Sequence, residues 1–151
     1  MDEPCDVCLT TEITASGYEY WLSKVRDGRM PRRADIDPAE IKRLLANVVL
    51  IDVSQDPLDF VERIAGDTIL HHSHHNSMGI QWTEYPGRGP ESKIWQHFEA
   101  VVTEKRAISA TVPYVGPHSD YLTVELVSCP LSDNGETVNK VISFVAYILR
   151  H

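Results

Sequence analysis

An α+β fold follows from the order of periodic segments: helices first, then a pair of strands, a helical middle and a trio of strands. Short β-branched runs separated by Gly, Pro and Asn turns mark an antiparallel sheet, and amphipathic helical stretches supply faces to cover it. The length of 151 residues suits one core. The patterning divides the chain into a leader (1–15), an N-terminal helical segment (16–46) and a core domain (47–151).

The first helix is expected from Ser16, whose spacing to Glu19 is that of a capping box. Tyr18, Trp21, Leu22 and Val25 fall at i, i+3, i+4 and i+7, and Gly28 stands where a C-terminal cap belongs. A second, short helix is marked by Asp37 as N-cap, Pro38 at the first helical position and Glu40 at the third, with Ile36 set to staple against Ile41. Its apolar face is Ile41, Leu44 and Leu45, and it ends near Ala46.

Residues 47–53 (N-V-V-L-I-D-V) have strand character, and residues 60–66 return beside them after the turn Asp56-Pro57-Leu58-Asp59. Residues 67–90 are irregular, with short helical stretches expected about 68–77. A clear helix then enters at Pro90 and Glu91, with Ile94, Trp95, Phe98, Val101 and Val102 on one face. The remainder reads as strands over 107–112, 121–128 and 138–149, joined as a meander. The middle strand alternates Leu122, Val124 and Leu126 with Thr123 and Glu125.

Composition excludes several function classes. A formal charge of −8 argues against a phosphate-backbone ligand, and the one basic cluster, Arg26, Arg29, Arg32 and Arg33, is interrupted by Asp27 and Asp35. No apolar run approaches the roughly 18 residues of a membrane span, and Met1-Asp2-Glu3-Pro4 lacks the features of a signal peptide, so a cytoplasmic location is expected. The Cys5-x-x-Cys8 pair has neither a βαβ unit nor a second ligand pair beside it and reads as two idle thiols on a polar leader. Cys129 reads as a small buried hydrophobe.

The stretch Arg33-Ala34-Asp35-Ile36-Asp37-Pro38-Ala39-Glu40-Ile41, with Gly28-Arg29-Met30-Pro31 before it and Asn47-Val48-Val49-Leu50, Asp56-Pro57-Leu58-Asp59-Phe60 and Arg63-Ile64-Ala65-Gly66 after it, resembles the R-x-D-I-D-P-x-E-I signature of a bacterial, mainly alphaproteobacterial, single-domain PAS family. The resemblance covers about residues 18–149. It implies a five-stranded antiparallel sheet in the order 2-1-5-4-3, with helices on one face around a possible ligand cavity and the first helix as an addition before that core. It also implies a sensory or regulatory role in signal transduction, exercised through a small-molecule ligand, a partner protein or self-association, with no catalysis. It names no cofactor.

The segment Ile69-Leu70-His71-His72-Ser73-His74-His75-Asn76 departs from that family pattern. On a helix His71 and His75 are i, i+4 neighbours and could share one ion, with His74 or His72 as a further ligand, or one imidazole could serve a haem. The plainer reading is a polar segment whose histidines titrate near neutrality. Trp82, Trp95, Phe98 and Leu126 are candidate walls of a ligand cavity, against the plainer reading that they are only core. Tyr18, Trp21, Leu22 and Val25 form an apolar stripe that either folds back over the sheet or meets a second copy in a homodimer. No G-x-S-x-G elbow, phosphate loop or paired-carboxylate motif points to an enzyme.

Overall fold

The β-branched runs pair into one five-stranded antiparallel sheet of order β2-β1-β5-β4-β3. The strands are β1 (Val48–Ser54), β2 (Asp59–Ala65), β3 (Ile108–Pro113), β4 (Tyr121–Leu131) and β5 (Lys140–Leu149). The computed structural model describes residues 7–73, 77–114, 116–118 and 120–149, the side chain of Leu122 excepted. Among these no helix is long and apolar enough to cross a membrane.

The period of two in the strands sorts side chains onto two buried faces. Val49, Ile51, Val53, Val141 and Val145 point into one cluster with Phe60, Trp82, Trp95, Phe98 and Val101. Val48, Leu50, Val127, Cys129, Ile142 and Phe144 point into another with Trp21, Ile36, Ile41 and Leu44. Burial on both faces explains why β1 reads as a nearly continuous apolar run rather than an alternation. The helices α2 (Asp67–His71) and α3 (Lys93–Glu104) belong to the first, inner face. Ser92 caps α3 by accepting from the Trp95 N–H, two residues later than the Pro90–Glu91 entry expected.

The outer face is covered by α1 (Glu12–Ser23), which starts inside the stretch read as a leader. Its N-cap is Thr11, whose hydroxyl accepts from the Thr14 N–H, so the expected capping box at Ser16 is not used. The helix approaches the sheet so closely that a Cβ on Gly17 would stand 2.2 Å from the Phe144 ring. Trp21 turns inward and donates its indole N–H to the Pro130 carbonyl at 3.0 Å. Cys8, just before α1, is held in a disulfide rather than as the free thiol expected, while Cys129 is a free buried thiol whose pKa burial raises.

The second expected helix is a 3-10 run, Pro38–Asn47, broken at Ile41, whose φ of −128° and ψ of 35° are not helical. Asp37 caps it as expected, accepting from the Ala39 N–H at 3.0 Å. The rest of the R-x-D-I-D-P-x-E-I stretch is also spent on structure. Asp35 accepts from the Arg32 N–H, Arg33 donates to the Ile36 carbonyl, and Ile36 and Ile41 are buried. The Tyr20 hydroxyl accepts from the Asp37 N–H and donates to Glu40, which Lys24 also reaches at 3.0 Å. This stretch clasps the 3-10 run to α1.

Candidate functional site

A cavity of about 420 Å³ lies between the inner face of the sheet and the segment running from α2 to α3. Its size falls within the range of small-molecule sites. Alternation along the strands builds its floor: Val49 and Ile51 from β1, Leu126 from β4, and Ser143, Val145 and Tyr147 from β5. Ile69, His72, Trp82, Ile94 and Phe98 are among the wall residues, with Glu62 and Arg88 at the polar side.

Of the four cavity candidates, Trp82, Phe98 and Leu126 line this space, but Trp95 does not. Trp95 stands edge-on against Phe60 at 4.8 Å, and Phe60 separates it from Trp82, which lies 4.9 Å from the same ring. All three rings are buried, so Trp95 supports the wall from behind.

The polar groups divide into paired and unpaired. Glu62 is buried and holds Arg88 in a salt bridge while accepting from the Ser77 hydroxyl at 2.9 Å. The Arg88 guanidinium also lies 5.2 Å from the Trp82 ring. His72 stacks on Tyr147 at 4.1 Å, and its Nδ1 lies 2.8 Å from the Thr68 carbonyl oxygen. That oxygen can only accept, so Nδ1 carries the proton. His72 Nε2 and Trp82 Nε1 are buried with no hydrogen-bond partner. Burial, helped by neighbouring Tyr114 and Glu62, pushes the Tyr147 phenol up to about 12, so it is neutral at physiological pH.

A hydrogen-bonded row runs from α3 to the cavity floor. His97 Nε2 lies 2.8 Å from Ser128 Oγ, and Ser128 Oγ lies 2.7 Å from Ser143 Oγ. Burial pushes the His97 pKa down to about 4, which keeps the ring neutral at physiological pH. Ser143 lines the cavity; Ser128 and His97 do not.

The histidine segment comes together differently from the helical pairing expected. His71 stacks on His118 at 4.5 Å, and His118 Nε2 lies 3.1 Å from the His71 carbonyl oxygen. Tyr114 donates to the His72 carbonyl at 3.3 Å, so the connection between β3 and β4 is tied to the end of α2. His74 and His75 lie outside the described residues. Among the described residues no group of three or more His, Cys, Asp or Glu could hold a metal.

Sequence reading missed Ser143, Tyr147, Glu62 and Arg88 as site residues. For the first two a signal existed, since both share the inward phase of Val141 and Val145 on β5. For Glu62 and Arg88 none did, because their pairing bridges β2 and a loop 26 residues away. A comparison with curated proteins finds no match. The family model of the PAS domain matches residues 10–146. With that match over most of its length, and with the 2-1-5-4-3 sheet, the chain belongs to the PAS domain family.

Proposed function

We propose that this PAS domain is a sensory module that binds a small organic molecule in the cavity under α2 and α3 and passes its occupancy to a partner protein. The observation that supports this is an apolar cavity of about 420 Å³ whose wall residues include two buried polar atoms without partners. A cavity of that size with a mainly apolar lining holds a small organic molecule chiefly by apolar contact. Catalysis is not part of this reading. Ser128, the hydroxyl in contact with an imidazole, does not line the cavity, and Ser143 reaches His97 only through it.

Native mass spectrometry of the protein purified without a histidine tag tests the reading. A co-purified or captured small molecule at one equivalent, absent from Leu126→Trp, supports it. A cavity that takes nothing from a chemically diverse small-molecule collection overturns it.

A second reading is favoured by one observation at His72. An imidazole whose Nδ1–H is fixed by a backbone carbonyl, and whose buried Nε2 has no hydrogen-bond partner, has the tautomer of haem-ligating histidines. A Soret band in the untagged protein, lost in His72→Phe, would establish that reading in place of the first.

Signalling by a module without its own effector runs through contacts, and we place self-association and partner binding, in the cytoplasm, in the same proposal. A twofold contact through α1 would rest on Leu22, which is 44% exposed, flanked by Tyr18 and Val25, which are partly buried; Trp21 is committed to the core of its own chain. Leu22→Glu should then shift the sedimentation coefficient from dimer to monomer, and an unchanged dimer would remove α1 from the interface.

A further inference from the structure

We propose that the molecule this cavity accepts is uncharged and carries a carbonyl-type oxygen, that the Arg88 guanidinium is the group that holds this oxygen, and that Glu62 positions the guanidinium. This rests on the cavity reading above and narrows it to a chemical class.

The guanidinium stands among residues of the cavity wall. Its Nη1 donates to Glu62, and its central carbon lies 5.2 Å from the Trp82 ring and 5.7 Å from the Tyr85 ring; all three residues line the same space as Arg88 itself. The Arg88 side chain is 27% exposed against 11% for Glu62, so it is held without being sealed in. A guanidinium only donates, and no tautomer has to be chosen for it. Among the described residues Glu62 is the one hydrogen-bond acceptor that the Arg88 side chain meets, which leaves the other N–H groups of the fork unspent. The hydroxyls of Ser73, Ser77 and Tyr114 in the same lining already donate to Ile69, Glu62 and His72. An oxygen acceptor brought into the cavity therefore finds its strongest donor at Arg88.

Glu62 decides which acceptor is favoured. Its Oε1 takes both the Arg88 N–H and the Ser77 hydroxyl, which fixes the guanidinium and balances its charge. A carboxylate head would bring a second anion to the same guanidinium, and the two carboxylates would repel. An ammonium head would draw Glu62 away and leave the guanidinium without its counter-charge. A ketone, ester or amide oxygen takes up the spare N–H groups and leaves the pair intact. The body of such a molecule would lie against Ile51, Ile69, Phe98, Leu126 and Val145, the apolar part of the lining.

Acetophenone, ethylbenzene and benzoate separate these requirements at nearly constant size, with a carbonyl, no acceptor and a carboxylate on the same ring. Titrations of the full chain at pH 8, followed by ligand-observed saturation transfer and by the Trp82 indole N–H resonance, should rank acetophenone above ethylbenzene by about fivefold or more. Acetophenone should exceed benzoate by about threefold or more. Glu62→Gln keeps an oxygen for Arg88 and Ser77 but removes the anion, so benzoate should overtake acetophenone in that variant. Adding Arg88→Met to it removes the donors without leaving a carboxylate alone. Acetophenone should then fall to within about twofold of ethylbenzene, with ethylbenzene itself within about threefold of its wild-type affinity. If the double variant does not fold, the reversal in Glu62→Gln decides the matter alone. Equal binding of acetophenone and ethylbenzene, tightest binding of benzoate to the wild type, no reversal in Glu62→Gln, or a parallel loss of all three probes in the variants overturns the proposal and leaves the cavity reading intact. Failure of all three to bind also overturns it, and the cavity reading is then decided separately by what native mass spectrometry captures.

Discussion

The two faces of the sheet each hold an apolar cluster but differ in how completely their buried polar atoms are paired. On the outer face Glu125, 1% exposed, accepts from the backbone N–H groups of Thr10 and Thr11 and from the hydroxyls of Thr10, Thr11 and Thr14. Burial alone would raise its pKa, but these hydrogen bonds outweigh burial and hold the carboxyl at about 2. The Trp21 indole and the Asn47 amide on that side also find backbone carbonyls. On the inner face His72 Nε2 and Trp82 Nε1 find nothing. Buried polar groups in a native core are normally paired, so the outer face follows that rule and the two atoms on the inner face depart from it. A substitution should therefore hurt the two faces unequally.

The largest effect is expected at Trp21. Trp21→Ala removes a buried ring and its bond to Pro130 from the outer core and should cost about 4 kcal/mol in denaturant unfolding. A loss under about 1 kcal/mol would mean that α1 is only loosely laid on the sheet. Next comes Glu125→Ala, which leaves the donors of the α1 N-terminus without their acceptor and should cost about 3 kcal/mol. Amide exchange of α1 should rise with it, and unchanged protection would show that the carboxylate does not anchor the helix.

The inner face should lose stability in acid. His97 has a folded pKa of about 4 against an ordinary 6.5, so the unfolded chain binds its proton first. Its contribution is present above pH 6.5 and is lost as pH falls through that value toward 4, up to about 3 kcal/mol. Glu125 adds a second loss lower down, as pH falls from about 4.5 to about 2. His97→Gln should flatten the unfolding free energy between pH 6.5 and 4 and leave the lower slope; an unaltered profile would rule His97 out as its source.

The sequence-level reading succeeded where local pattern and tertiary environment agree. On β5 and β4 the period of two survives into the structure, so Leu126 could be placed on the cavity side from alternation alone. Glu125 broke the same rule in an informative way. Its outward phase was correct, but outward there means under α1, because the T-T-E-I-T segment closes over it. That segment carries little apolar signal, since its side chains hydrogen-bond a carboxylate more than 100 residues away, and so it passed for a leader. The 3-10 run kept its Asp37 cap but lost α geometry at Ile41, a change no capping rule anticipates. At the cavity, aromatic walls were legible as inward-facing residues. The unmet atoms were not, because being without a partner is a property of the assembled neighbourhood and of no single residue.

The smallest effect separates the faces most sharply, because its sign is reversed. In the unliganded protein His72→Phe keeps an aromatic ring against Tyr147 and removes the buried Nε2 acceptor that has no partner. It also removes the Nδ1–H bond to the Thr68 carbonyl, worth about 1 kcal/mol. That carbonyl is not left bare, since the His72 backbone N–H also donates to it at 3.2 Å. Burying an unmet polar atom costs about 1–3 kcal/mol, so its removal should offset the lost bond or exceed it. The variant is expected to unfold at the wild-type temperature or up to a few degrees above it, while any substitution of Glu125 lowers that temperature. A clear loss of stability in unliganded His72→Phe would mean that His72 holds the fold together as Glu125 does, and the distinction between a sealed face and a receptive one would fail at the residue on which it most depends.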